Sequence, residues 1–293
     1  MISYRRCASC AVAGLLAVVC GCTIPPAPKK GLGYAAAKMS VEADKSYSKG
    51  NYDAALINLN GALELNRAID NLDGVANNLN AMGCILVQMQ KYDDAMRYLN
   101  EALQLSAQTN DLAAQATSYG NLGSLYETKG DIGKARQYLE KALDLDTRAK
   151  DDHGIAVRLN NLGKFLYRHD NKEKALAYFQ RALDISKKGK FRSVMASSMN
   201  NLGITFEDQK QYAKALSLYE QALAIDKDEE DLESISLDLL NIASVCEKSG
   251  DHARAVQFYR RAKHVNNFIR HRERIEKCDL ALKRLDLKLD SAE

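Results

Sequence analysis

Asn160-Asn161-Leu162-Gly163 returns letter for letter at Asn200-Asn201-Leu202-Gly203, 40 residues further on. Asn121-Leu122-Gly123 stands 40 residues before the first copy, and Asn241-Ile242-Ala243 stands 40 residues after the second. A fixed interval of this length limits the chain to architectures that stack one supersecondary unit many times, because a single copy cannot bury its own apolar face. With the Gly as reference, the column reads Ala43, Gly83, Gly123, Gly163, Gly203 and Ala243. Twelve residues later stand Ala55, Ala95, Ala135, Ala175, Ala215 and Ala255, and seven further on Ala62, Ala102, Ala142, Ala182, Ala222 and Ala262. Between the two alanine columns runs a large one: Leu59, Leu99, Leu139, Phe179, Tyr219 and Tyr259.

Each unit reads as two antiparallel helices. Pro25, Pro26 and Pro28 are the only prolines, so nothing after residue 28 breaks a helix by removing a donor and clashing with the preceding turn. In the third unit the first helix is expected from about Ala116 to Lys129 and the turn at Gly130, a column shared by Gly50 and Gly250. A helix N-cap follows at Asn51, Asp131, Asn171 and Asp251, whose side-chain oxygens can accept from a free backbone N–H. The second helix continues through Ala135, Leu139, Ala142 and Leu143 at helical spacing. The small columns let two helices approach closely, and the large column fills the space beside them.

The pattern of Tyr119, Leu122, Gly123, Tyr126, Ala135, Leu139 and Ala142 resembles the tetratricopeptide repeat (TPR), over about residues 37–276 as six repeats. The usual period is about 34 residues; here it is 40, and the proline that often closes a repeat is missing. The 40-residue form carrying "NLG" is similar to the repeats of kinesin light chains and the Leu-Gly-Asn repeat proteins. The extra six residues must lengthen the second helix, the loop or the start of the next first helix. The resemblance implies an all-α fold: a right-handed TPR superhelical solenoid of about six helix-turn-helix repeats. Residues 271–293, with Ile275, Leu280, Leu282, Leu285 and Leu287 among many charges, are expected to form a C-terminal capping helix.

In that family the first helices line a concave groove. The resemblance therefore places Asn121, Asn161, Asn201 and Asn241, with Asn80, Asn160 and Asn200 in the adjoining column, as candidate peptide-binding residues. An asparagine offers an acceptor and two donor protons, so a row of them can hold an extended backbone regardless of its sequence. A second reading is equally open: each Asn bonds the adjoining repeat and fixes the stacking angle. Lysines and arginines are not arrayed in these columns, which argues against a clamp for a C-terminal carboxylate. Lys164 and Arg168 make one basic spot.

The N-terminus carries an address. Arg5 and Arg6 precede an apolar run from Ala8 to Cys20, too short to span a bilayer. Val19-Cys20-Gly21-Cys22 resembles the bacterial lipobox, with Cys20 where Ala or Ser is more usual. The resemblance implies a signal peptide over residues 1–21 and lipidation of Cys22, with a linker over 22–36 that contains every proline; an ordinary cleaved signal and an uncleaved anchor are the alternatives. Thr23 after the cysteine points, by analogy with enterobacterial sorting, to the outer membrane facing the periplasm. Cys84, Cys246 and Cys278 fall on expected helices, too few and too scattered for a disulfide framework, and are read as small buried hydrophobes.

Removing Arg5 and Arg6 from 41 basic residues leaves 39 against 38 acidic, a near-neutral balance that argues against non-specific nucleic-acid binding. There is no glycine-rich phosphate loop and no HExxH. His153, His169, His252, His264 and His271 have no metal-ligand spacing. The expectation is a non-enzymatic scaffold without cofactor, metal or small-molecule substrate, held to the membrane through Cys22. It would bind a protein or peptide and assist assembly of an envelope complex for pili or secretion. The alternative is an accessory subunit of an envelope enzyme such as a peptidoglycan hydrolase or protease.

Overall fold

The computed structural model describes residues 31–169 and 171–290, with side chains to 285. The signal peptide, Cys22 and most of the linker lie outside the described residues. Thirteen helices and no strand occur among the described residues. They are α1 (Leu32–Ser48), α2 (Tyr52–Ala68), α3 (Leu72–Gln88), α4 (Tyr92–Gln108), α5 (Leu112–Thr128), α6 (Ile132–Ala149), α7 (Asp152–His169), α8 (Lys172–Gly189), α9 (Arg192–Asp208), α10 (Tyr212–Asp228), α11 (Leu232–Lys248), α12 (His252–Ile269) and α13 (Arg272–Asp290). The chain forms two compact units, one up to Phe165 and one from Leu166.

A helix begins every 20 residues, from Leu32 to Arg272. The six residues by which this period exceeds the common one are therefore helical, shared between the end of each second helix and the start of the next first helix. That is why α5 opens at Leu112, four residues before the position expected from the sequence. The connectors stay short, and the eleven whose closing residue is described close in the same way. Gly50, Gly130 and Gly250 take positive φ, and so do Asp70, Gln90, Asn110, Lys150, Lys190, Lys210, Glu230 and Arg270, at φ of 53° to 61°. The next residue then donates its N–H to the carbonyl five residues back, as in Asp131 to Tyr126 at 2.9 Å, Asp151 to Asp146 at 3.0 Å and Asp231 to Asp226 at 3.0 Å. This is the Schellman closure, which satisfies carbonyls left open at a helix end. The same residue starts the next helix. Asn51, Asn71, Asp111, Asp131, Asn171, Asp231 and Asp251 each accept a backbone N–H two or three residues ahead.

Packing follows the columns. All twelve alanines of the two Ala columns are 0% exposed. The large column lies over the small one: a Cβ built on Gly123 would stand 2.7 Å from Leu139 Cγ, and one on Gly83 2.5 Å from Leu99 Cδ2. Nothing larger than a hydrogen fits there without moving the partner side chain. Within unit one the pairs α1–α2, α3–α4 and α5–α6 stack through α2–α3 and α4–α5; within unit two α9–α10 and α11–α12 stack through α10–α11. Helix α13 packs on α12 and buries Cys278, Ala281 and Leu285. Its small-column position is Lys283, whose long charged side chain cannot admit another helix at that distance. Cys246 is buried with a free thiol, as Cys278 is, whereas Cys84 is buried but disulfide-bonded, so it is not the plain hydrophobe expected from the sequence.

A left-handed conformation costs an L-residue about 1–2 kcal/mol, partly offset in a glycine variant by greater freedom of the unfolded chain. Lys150→Gly and Lys210→Gly should each raise stability by about 0.5–1 kcal/mol, and Gly130→Ala should lower it by about 1 kcal/mol. Urea titration followed by circular dichroism measures all three.

Candidate functional site: repeat junctions and the first-helix faces

Where a second helix ends against the following repeat, a polar residue is buried in every repeat: Asn66, Ser106, Asp146, Ser186, Asp226 and Asn266, none more than 5% exposed. Twelve residues later, on the next first helix, stand Asn78, Ser118, Arg158, Ser198, Asp238 and Cys278, again all buried. A third column, on the preceding first helix, holds Ser40, Asn80, Gly120, Asn160, Asn200 and Leu240. A buried polar group without a partner is costly; Asn66, Ser106 and Ser186 find theirs in their own connector or helix, while side chains of the second and third columns meet across repeats. Ser40 Oγ donates to Asn78 Oδ1 at 3.2 Å, and Asn80 Nδ2 donates to Ser118 Oγ at 3.0 Å. Asn200 Nδ2 donates to Asp238 Oδ1 at 2.6 Å.

The third junction is ionic. Arg158 Nε donates to Asp146 Oδ2 at 3.0 Å and Nη2 donates to Thr117 Oγ1 at 2.9 Å, with Arg158 3% and Asp146 1% exposed. The guanidinium needs the room that Gly120 leaves: a Cβ there would stand 2.9 Å from Arg158 Nη1. Burial pushes the Asp146 carboxyl up to about 6 even against the pull of Arg158, which measures how much solvation the pair has given up.

The candidate asparagines separate into two environments. Asn80, Asn121 and Asn160 are 1%, 4% and 5% exposed. Asn121 Nδ2 donates to Asn80 Oδ1 at 3.3 Å, so the two asparagines and Ser118 form one chain of hydrogen bonds between α3 and α5. These contacts run between side chains of adjoining repeats. Asn200 is half-buried and bonded to Asp238. Asn161, Asn201 and Asn241 are also half-buried. Beside them in unit two stand exposed apolar residues: Ile204, one turn after Asn201, and Leu237, one turn before Asn241, at 38% and 44% exposure. Residues three and four apart share a helix face, so each of these two first helices presents an amide next to an aliphatic side chain.

Among the described residues no group of three or more His, Cys, Asp or Glu could hold a metal ion, and no helix is long and apolar enough to cross a membrane. The first helices of the described residues offer half-exposed amides, two of them beside aliphatic side chains.

The family model described as tetratricopeptide repeat matches residues 46–108, 114–188 and 194–263, more than half of the chain. The chain belongs to the tetratricopeptide repeat family. Among solved structures, this TPR protein is similar to a Rap protein complexed with competence and sporulation factor, at 16% identity and a TM-score of 0.61, covering 90% of this chain and 78% of that one. BtubC (BKLC) from P. vanneervenii is 21% identical with a TM-score of 0.56, covering 83% and 93%. PilF of Pseudomonas aeruginosa is 22% identical with a TM-score of 0.50, covering 73% and 93%. At these identities the likeness is one of fold. A comparison of the sequence with curated proteins finds no match.

The last two TPR repeats carry a further polar contact. Tyrosine fills the large column only at Tyr219 and Tyr259, and a glutamate stands twelve residues before each, at Glu207 and Glu247. Tyr219 Oη donates to Glu207 Oε2 at 2.8 Å, and Tyr259 Oη to Glu247 Oε2 at 3.2 Å. The next helix then completes each carboxylate: Ser244 Oγ and Lys248 Nζ lie 2.9 and 2.7 Å from Glu207 Oε1, and Arg284 forks onto Glu247 at 3.0 and 2.8 Å. Burial first, and then the adjacent carboxylate, push both phenols well above their ordinary range. Repeats with Leu or Phe in the column need no acceptor.

The junction chemistries should be exchangeable only as sets. Asp146→Ser alone leaves a buried, unpaired guanidinium and should cost about 3–5 kcal/mol. The triple change Gly120→Asn, Asp146→Ser and Arg158→Ser reproduces the Asn80–Ser106–Ser118 junction and should stay within about 1 kcal/mol of wild type, measured by denaturant unfolding.

Proposed function

We propose that this TPR protein is a non-enzymatic scaffold that holds a segment of a protein or a peptide against its first helices, anchored in the bacterial envelope through a lipid on Cys22. The observation that carries the reading is the set of half-exposed amides at 40-residue intervals, Asn161, Asn201 and Asn241. Amides can bond the peptide groups of any extended segment, at about 0.5–1.5 kcal/mol net for each bond. Ile204 and Leu237, exposed beside two of them, would favour a segment with apolar side chains at that end.

The family supports the class of function, since TPR proteins are in general scaffolds for protein partners. The Rap protein's solved complex with competence and sporulation factor is consistent with a peptide or protein ligand. The lipobox-like Val19-Cys20-Gly21-Cys22, the proline-bearing linker and Thr23 support an anchor at the outer membrane with the repeats in the periplasm.

Partner capture from envelope extract by the wild-type chain should fall at least tenfold when Asn161, Asn201 and Asn241 are all changed to Ala, with helicity unchanged by circular dichroism. Equal capture would place binding elsewhere on the repeats, and hydrolytic activity in the captured material would mark the protein as an accessory subunit of an envelope enzyme. Cys22→Ser should move the protein from the membrane to the soluble fraction with the repeats still folded; unchanged fractionation would overturn the anchor.

A further inference from the structure

The junction of α9, α10 and α11 brings two carboxyl groups together where the third junction of unit one places a carboxylate and a guanidinium. Asp226 and Asp238 occupy the columns of Asp146 and Arg158, are 4% and 0% exposed, and lie within hydrogen-bonding reach of each other. Among the described residues no cation pairs with either. The charged groups around them are accounted for on every element. In the α10–α11 turn, Glu229 and Asp231 add negative charge, and Arg192 of α9 is engaged with Asp228 and Glu229. Arg254 of α12 is engaged with Glu220, and Arg274 of α13 with Glu233. From α9 only the neutral Asn200 reaches the pair, donating Nδ2 to Asp238 Oδ1 at 2.6 Å.

Asp238 Oδ2 is left fully buried with no N–H or O–H donated to it. Two ionised carboxylates in such a place are not tolerable, since like charges at contact and loss of solvation both oppose ionisation. A proton on one carboxyl removes the second charge and provides the donor that Asp238 Oδ2 lacks.

We propose that this junction is a proton-held joint: Asp226 in its acid form donates its O–H to the Asp238 carboxylate, and release of that one proton to solvent loosens α11 and the last repeat from α10. The joint is thus closed in acid and neutral solution and opens as the medium becomes alkaline, whereas the Asp146–Arg158 junction has no such dependence on a shared proton.

The direction is fixed by the shifts. Burial first, then the Asp238 charge, push Asp226 up to about 9; burial also raises Asp238, while Asn200 and the bond from Asp226 hold it lower. The folded chain therefore binds a proton more tightly than the unfolded one. The stabilisation is complete below the ordinary carboxylate value of 3.8 and drains away as pH rises toward about 9. The two groups titrate as a pair.

Thermal melts of the full chain and of Asp226→Asn, whose amide reproduces the donor without a titrating proton, test the joint. The two should melt within about 1 °C of each other at pH 4.5, with the variant higher by about 3 °C or more at pH 9. Parallel curves across that range would overturn the proposal. Carboxyl carbon NMR of the wild-type chain gives a second reading whatever the variant does: the Asp226–Asp238 pair should show a step above pH 7 that Asp238→Asn abolishes or moves, and complete titration of both below pH 5 would also overturn it.

Discussion

Helices can lie this close only where one of them carries no side chain to speak of, and that single steric demand sets the rest of the molecule. The small column from Ala43 to Ala243 takes the large residue of the partner helix directly against backbone, and the two alanine columns, wholly buried, flank that large residue on the same face of its helix. Close approach is dispersion and apolar burial at crystal-like density, so a methyl group too many is felt at once. It also dictates length. A helix that packs through three columns in fixed register must start and stop at fixed places. The chain secures this by closing the helices at the described connectors with a left-handed residue and the same carbonyl bond, even where the residue is Lys, Gln or Arg and the conformation is unfavourable.

That steric demand leaves no room for choice in the columns it governs, so individuality has moved to the polar junctions. Apolar stacking alone would let any repeat sit on any other. At the junctions, however, Ser40 is matched to Asn78, Asn80 to Ser118, Asp146 to Arg158 across the gap left by Gly120, and Asn200 to Asp238. A repeat placed out of order would bury an unpaired amide or charge at a cost of a few kcal/mol. The tyrosine–glutamate contacts add the same kind of specificity to the last two repeats, where Glu207 and Glu247 each need both the tyrosine of their own repeat and a donor from the next helix.

This division explains what could be read from the sequence. Gly123, Leu139, Ala135 and Ala142 were legible because packing asks for the same volumes in each repeat, and identical demands leave identical letters. The turns were legible at Gly50, Gly130 and Gly250 but not at Asp70, Lys150 or Lys210, because backbone hydrogen bonds, not residue type, hold those positions in place. The early start of α5 at Leu112 is hidden for a related reason: the apolar periodicity weakens in its first turn, and only the cap at Asp111 marks it. The junction from Asn66 to Asn266 was polar in all six repeats and so was open to inspection, yet its letters change from repeat to repeat. A search for repeated identity passes over a column whose rule is complementarity. Among the asparagines, identity was visible and direction was not. Asn121 reaches Asn80 while Asn161, Asn201 and Asn241 are half-buried, and what an asparagine meets depends on the residues of the adjoining repeat, which its own repeat does not encode.

The contrast between Asp146–Arg158 and Asp226–Asp238 shows how far complementarity can be carried without changing the fold. Both positions lie at a helix end closed in the same way: the backbone of Asp146 accepts from Asp151, and that of Asp226 from Asp231. A guanidinium meets the first carboxylate with a fixed charge and demands Gly120 opposite it; a second carboxyl meets the other and leaves room for Asn200. The first solution is indifferent to a shared proton and the second depends on one. Repeats built to one steric plan can therefore differ in the conditions under which they hold together, and the difference lies in three side chains that no packing rule fixes.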